Sequence, residues 1–252
     1  MQDAQSTSTE PVKTMGFSEK LAGIFASPGE VFENVRLTPQ TNSNWLIPSL
    51  LLIVVTLILS YLTISNPGLV DQMTAAQRDA LQTMVQEGRL TQEQADAQLE
   101  RMGPGSPLLL IGVLVGPPIF TFVRLFFLAL VFWLMGKSAM KAAAPYMKVT
   151  EVVGLTFYIG ILEALVTTGF VFGMNSLFAS PSLALMVSDF DMNNKLHLVL
   201  SKVNIFTLWT LVVTGIGLSK LFQRDLPKVL VLVFVLWVLY CAVTILAGIR
   251  LG

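Results

Sequence analysis

The stretch Asn204-Ile205-Phe206-Thr207-Leu208-Trp209-Thr210-Leu211-Val212-Val213-Thr214-Gly215-Ile216-Gly217-Leu218, running on into Ser219-Lys220-Leu221, decides the fold. It is an apolar run of membrane-spanning length, closed by Lys220, Arg224 and Lys228. A second apolar run follows almost at once, so Val203–Phe222 and Val229–Ile249 read as a membrane helical hairpin with a basic turn. Working outward, similar runs cover 45–64, 108–136 and 152–172. The expectation is an all-α, polytopic bundle of five transmembrane helices.

Composition agrees. Hydrophobic residues make up 54% of the 252 positions and charged residues 13%, about half the charged share of an ordinary soluble domain. The mean hydropathy is +0.69. A formal net charge of zero offers no basic face to nucleic acid. The single cysteine, Cys241, lies inside the last apolar run, where it reads as a small hydrophobe. The first run starts at Trp45 behind a polar leader and is too long for a signal-peptide core, so it reads as an uncleaved span.

Residues 1–44 divide into a polar tail and two short amphipathic helices. Phe17, Leu21 and Phe25 fall on one helical face, and Ser27-Pro28-Gly29-Glu30 has the form of a capping box opening a helix that carries Phe32. These apolar residues either anchor the segment in the headgroup region or pack beneath the bundle. Residues 45–252 form the transmembrane domain. Asn66-Pro67-Gly68 ends the first span, and an acidic insert at 69–102 reads as two helices, about 74–87 and 91–102, from capping boxes at Thr74 and Thr91. The insert is expected to form an extracytoplasmic helical hairpin.

Two charged residues stand inside the spans, Arg124 and Glu163. Intramembrane charges are costly and tend to pair or to line a polar cavity. Arg124 lies 13 positions before Lys137, and Glu163 lies 12 after Glu151. In an antiparallel hairpin they reach similar depth, which predicts that they face each other across spans two and three. A pair that fixes helix register is the simpler account; a transport role is the sharper one. Gly116-Pro117-Pro118 predicts a kink or break in span two, of the kind that exposes carbonyls to ions in transporters. Gly169 and Gly173 have the spacing of a small-residue helix contact.

Enzyme chemistry lacks its parts. His197 is the only histidine, and no G-x-S-x-G, H-E-x-x-H or G-x-x-x-x-G-K-[ST] pattern occurs. No catalytic residue, metal ligand or cofactor site is expected. Lysine and arginine placement gives the orientation. The turns holding Lys137, Lys141, Lys148, Lys220, Arg224 and Lys228 fall on the same side as the N-terminus, which predicts a cytoplasmic N-terminus and an extracytoplasmic C-terminus in the cell (inner) membrane.

The chain resembles the Yip1-domain family of five-span membrane proteins, in its prokaryotic form. The residues that carry the resemblance are Ile24-Phe25-Ala26-Ser27-Pro28-Gly29-Glu30-Val31-Phe32, Gly116-Pro117-Pro118-Ile119, Val149-Thr150-Glu151-Val152-Val153-Gly154, and Asn204-Ile205-Phe206-Thr207-Leu208-Trp209 with Gly215-Ile216-Gly217-Leu218. The acidic insert departs from the eukaryotic pattern, as does the lack of its acidic and tyrosine-rich motifs, so Rab GTPase binding does not carry over. The resemblance implies the same orientation and no enzymatic activity. The functional expectation is a non-enzymatic scaffold whose partners are the lipid bilayer and other membrane proteins or a second copy of itself. The alternative is a small transporter or channel using Arg124, Glu163 and the helix break.

Overall fold

The computed structural model describes residues 13–246 except 102, 104, 105, 188, 189, 192 and 193. The extreme N-terminal tail, Met102 of the insert and the end of the last apolar run, with Ile249, therefore lie outside the described residues. Those described form ten α-helices and no strand. In order they are α1 (Phe17–Ala26), α2 (Pro28–Leu37), α3 (Ser43–Ile64), α4 (Pro67–Gln86), α5 (Gln92–Arg101), α6 (Pro107–Ala139), α7 (Tyr146–Met174), α8 (Lys195–Lys202), α9 (Ile205–Phe222) and α10 (Leu226–Leu246). Helices α3, α6, α7, α9 and α10 are long and apolar enough to cross a membrane.

Helix α7 is the axis of the bundle. It packs against α3, α6 and α9, while α10 packs chiefly on α9. The parallel pair α3 and α7 is the tightest contact because Gly154 presents no side chain. A Cβ there would collide with the Trp45 backbone. At the same level α9 crosses α7 at Gly217, where a Cβ would strike Val152 and Phe32. Trp45 lies at the start of α3 and stacks edge-on against Phe126 at 5.5 Å, a position that suits an amphipathic ring at a membrane boundary. From that level to Met174, α7 runs about 30 Å at about 1.5 Å per residue, the thickness of a hydrocarbon core.

The first two turns of α7, Tyr146–Val153, are wrapped by α1 and α2. Ile24, Val31, Phe32 and Val35 are buried there with Val149 and Val152. This explains why α7 begins six residues before the expected start at 152. Apolar run length marks where a helix meets lipid, whereas this helix continues into a protein core. At the opposite end α4 and α5 form the insert. Helix α4 starts at Pro67, not Thr74, because Asn66 caps it by accepting from the amides of Gly68 and Leu69 at 3.0 and 3.3 Å, with proline at the first helical position. Thr74 is interior to that helix, its hydroxyl bonded back to the Val70 carbonyl. The box at Thr91 is formed in both directions with Gln94.

Candidate functional site

Four polar side chains from three helices meet at the N-terminal end of α7, Lys20 of α1, Asn44 of α3, and Lys148 and Glu151 of α7 itself. Lys148 Nζ donates to the carbonyls of Val35 and Thr38 at 2.7 and 2.9 Å and lies 3.2 Å from Glu151 Oε1. The last carbonyls of α2 have no partner within that helix, so Lys148 caps it and complements its dipole. Glu151 is fully buried, at 0% exposure. Its Oε1 accepts from the Thr41 amide at 3.3 Å, and its Oε2 accepts from Asn44 Nδ2 at 2.5 Å. Asn44 in turn accepts from Lys20 Nζ of α1 at 2.8 Å. The node ties α1, α2, α3 and α7 together. A buried carboxylate is tolerable only with this degree of pairing.

The node holds two lysines against one glutamate, a surplus of one positive charge. Lys148 makes two hydrogen bonds and an ion pair, whereas Lys20 makes one hydrogen bond among the described residues. Lys20 is 7% exposed. Burial pushes its ammonium below the ordinary lysine value; Glu151 opposes that shift and Lys148 adds to it. Beside Lys20 and Asn44 opens a cleft of about 430 Å³, lined also by Thr41, Ser43 and Tyr158.

Arg124 and Glu163 lie apart from this node. Glu163, half-buried on α7, accepts a hydrogen bond from Asn204 Nδ2 at 2.9 Å. Asn204 also caps α9 by accepting from the Phe206 amide at 2.8 Å. Arg124 is exposed on α6, its guanidinium 5.8 Å from the Phe157 ring centroid. No ion pair within 4.0 Å joins Arg124 to Glu163. The expected face-to-face pair is therefore corrected to two separate residues. The cause is an offset between α6 and α7. Trp133 lies against Tyr146 at 6.3 Å and donates to the Ala144 carbonyl at 3.1 Å, so Lys137 and Glu151 are not level. Arg124 falls about 5 Å above the Gly154 boundary, beside Phe157, and Glu163 about 14 Å above it.

Three other expectations change. Of the kink or break expected at Gly116-Pro117-Pro118, the break does not occur: helix α6 runs from Pro107 to Ala139 with both prolines inside. The carbonyls of Val113 and Leu114 lose their usual amide partners there, yet the turn holds its helical path, as membrane helices often allow. Phe32 does not anchor in lipid, since it is buried at the α7–α9 crossing. Phe25 meets Trp209 edge-to-face at 5.6 Å, Leu21 packs against the core, and Phe17 is half exposed while its ring meets Tyr158 at 6.1 Å. Gly169 and Gly173 face open space and make no helix contact. Among the described residues, no three His, Cys, Asp or Glu side chains gather as a metal site.

Reading the sequence missed the node. Lys148 counted as one lysine of a basic connection, and Glu151 served only as a marker of depth. The available signal was their i, i+3 spacing at the head of an apolar helix.

An all-helical chain with five long apolar helices and its charges gathered at helix ends is a multi-pass membrane protein. The family model described as the Yip1 domain matches residues 22–248. The chain belongs to the Yip1 domain family. Comparison with curated proteins and with solved structures finds no match.

Proposed function

We propose that this protein is a non-enzymatic scaffold of the cell membrane that organises the bilayer or holds partner membrane proteins along its exposed helices. The observation that supports this reading is the unequal burial of the spans. In α7, 61% of the apolar stretch is buried, against 17% in α10. Helix α10 turns Val229 and Val233 inward and leaves Val231, Val235, Val238 and Val243 exposed. It offers a long apolar face to lipid or to another helix.

The basic turns support a cytoplasmic N-terminus. Arg224 Nε donates to the Met140 carbonyl at 3.0 Å, so both turns lie at one end of the bundle, the end that α1 and α2 cover. The positive-inside bias then sets that end in the cytoplasm. A topology reporter at residue 90, in the turn between α4 and α5, is expected to read extracytoplasmic; a cytoplasmic signal reverses the orientation.

The scaffold reading is tested in cells by photo-crosslinkers at Val235 and Val238, with buried Val233 as the internal control. A discrete protein adduct at the two exposed positions alone, of one reproducible mass, is the expected result. Lipid adducts only, together with a solute flux in liposomes that Arg124→Gln and Glu163→Gln abolish in folded protein, would replace it with the transporter reading. That alternative draws on Glu163, which meets the capped start of α9.

A further inference from the structure

We propose that the cleft beside Lys20 binds the phosphate of an anionic phospholipid, with Lys20 and Tyr158 as its donors. The cleft is lined by donors with hydrogen-bonding capacity to spare. Lys20 keeps two of its three ammonium protons free of hydrogen bonds among the described residues. The Tyr158 side chain lines the cleft and is 3% exposed, and its hydroxyl has no hydrogen-bond partner among the described residues. Among the described residues no buried side-chain nitrogen or oxygen lacks a partner, so the Tyr158 hydroxyl, which has none, opens to the cleft. The node behind them carries the surplus positive charge. Nearby Glu19 is turned away, accepting from the Gly16 amide at 2.7 Å and lying 3.9 Å from Lys13. A phosphodiester brings one negative charge and two free oxygens, which match the ammonium and the phenol. The hydroxyls of Thr41 and Ser43, 2.9 Å from each other, stand at the rim and can share protons with the same group.

The setting selects a lipid over a soluble phosphate. The cleft opens where α3 enters the membrane, and Ile47 forms part of its wall. From Ile47 an apolar stripe rises along α3 through Leu51, Val54 and Ile58, all three exposed, at the spacing of one helical face. A headgroup seated on Lys20 would lay its acyl chains along that stripe. Phe17, half exposed at the edge of the cleft, closes the other side. The site is independent of whether α10 receives a protein partner.

The test uses the full-length chain, purified in neutral detergent and titrated with phosphatidylglycerol, phosphatidylcholine or glycerol 3-phosphate. Bound ligand is counted by native mass spectrometry, and melting is followed in parallel. Phosphatidylglycerol is expected to bind at least about tenfold more tightly than phosphatidylcholine and to raise the melting temperature, since charge-assisted hydrogen bonds are the strong ones. Lys20→Gln removes the charge while keeping a donor for Asn44, and should weaken phosphatidylglycerol about tenfold. Tyr158→Phe removes a hydroxyl that no described residue engages. It should leave melting of the lipid-free protein unchanged and weaken phosphatidylglycerol about fivefold, which keeps the test decisive if Lys20→Gln fails to fold. Equal binding of the two lipids, or undiminished binding by Tyr158→Phe, overturns the site. Glycerol 3-phosphate binding as tightly as phosphatidylglycerol overturns the lipid assignment.

Discussion

Glu151 and Glu163 stand about three turns apart on one helix, and the protein treats them in opposite ways. Glu151 is enclosed by an ammonium, an amide side chain and a backbone amide. Glu163 is half-buried, with a single hydrogen bond from Asn204. The first lies at the N-terminal end of α7, where α1, α2 and α3 close over it. The second lies in the membrane, where α7 has neighbours on some sides only. Depth in the bilayer did not decide which carboxylate became structural; the number of elements converging on it did.

The comparison breaks most sharply if the node is not what holds α1 and α2 to the spans. Glu151→Ala leaves Lys148 and Asn44 buried without their acceptor. Removing one member of a buried pair costs about 3–5 kcal/mol, so the variant should lose most folded protein in detergent, read by fluorescence-detected size exclusion and melting. Glu151→Gln keeps both side-chain oxygen and shape and should recover part of that loss. If Glu151→Ala melts like the parent, the node is incidental.

A second prediction concerns packing at the same level. Gly154→Leu forces a side chain into the Trp45 backbone and must push α3 from α7. Overpacking of this kind costs about 1–3 kcal/mol. Gly169→Leu on the same helix meets open space and should leave melting almost unchanged. The two variants together separate the tight inner half of α7 from its looser outer half.

The sequence made the membrane class legible because five long apolar runs of the right length need no tertiary information. Helix ends were less legible. Proline at 67 looked like a stop for α3, yet with Asn66 before it the same residue starts α4. Phe32 looked amphipathic because its helix has a polar face, but the apolar face meets Gly217 and Val152 instead of lipid. The node was hidden for a different reason. Its members are distributed over residues 20–151, and nothing local announces that Lys20, Asn44 and Glu151 will meet. The Arg124–Glu163 pairing failed on register, since counting from Lys137 and Glu151 assumed a level turn that Trp133 and Tyr146 rule out.

The smallest expected effect sharpens the comparison from the other side. Glu163→Gln keeps an oxygen for Asn204 Nδ2, and Arg124→Gln removes a charge from an exposed side chain. Each should change melting little. A double-mutant cycle isolates their interaction from everything else each substitution does. With the charges beyond ion-pair distance, the coupling should be about 0.5 kcal/mol or less, the range of weak exposed pairs. A cycle run on Lys148 and Glu151 should return several times that value. Should the Arg124–Glu163 coupling instead match the Lys148–Glu151 coupling, the two residues close into a pair in lipid, and the contrast between the ends of α7 disappears.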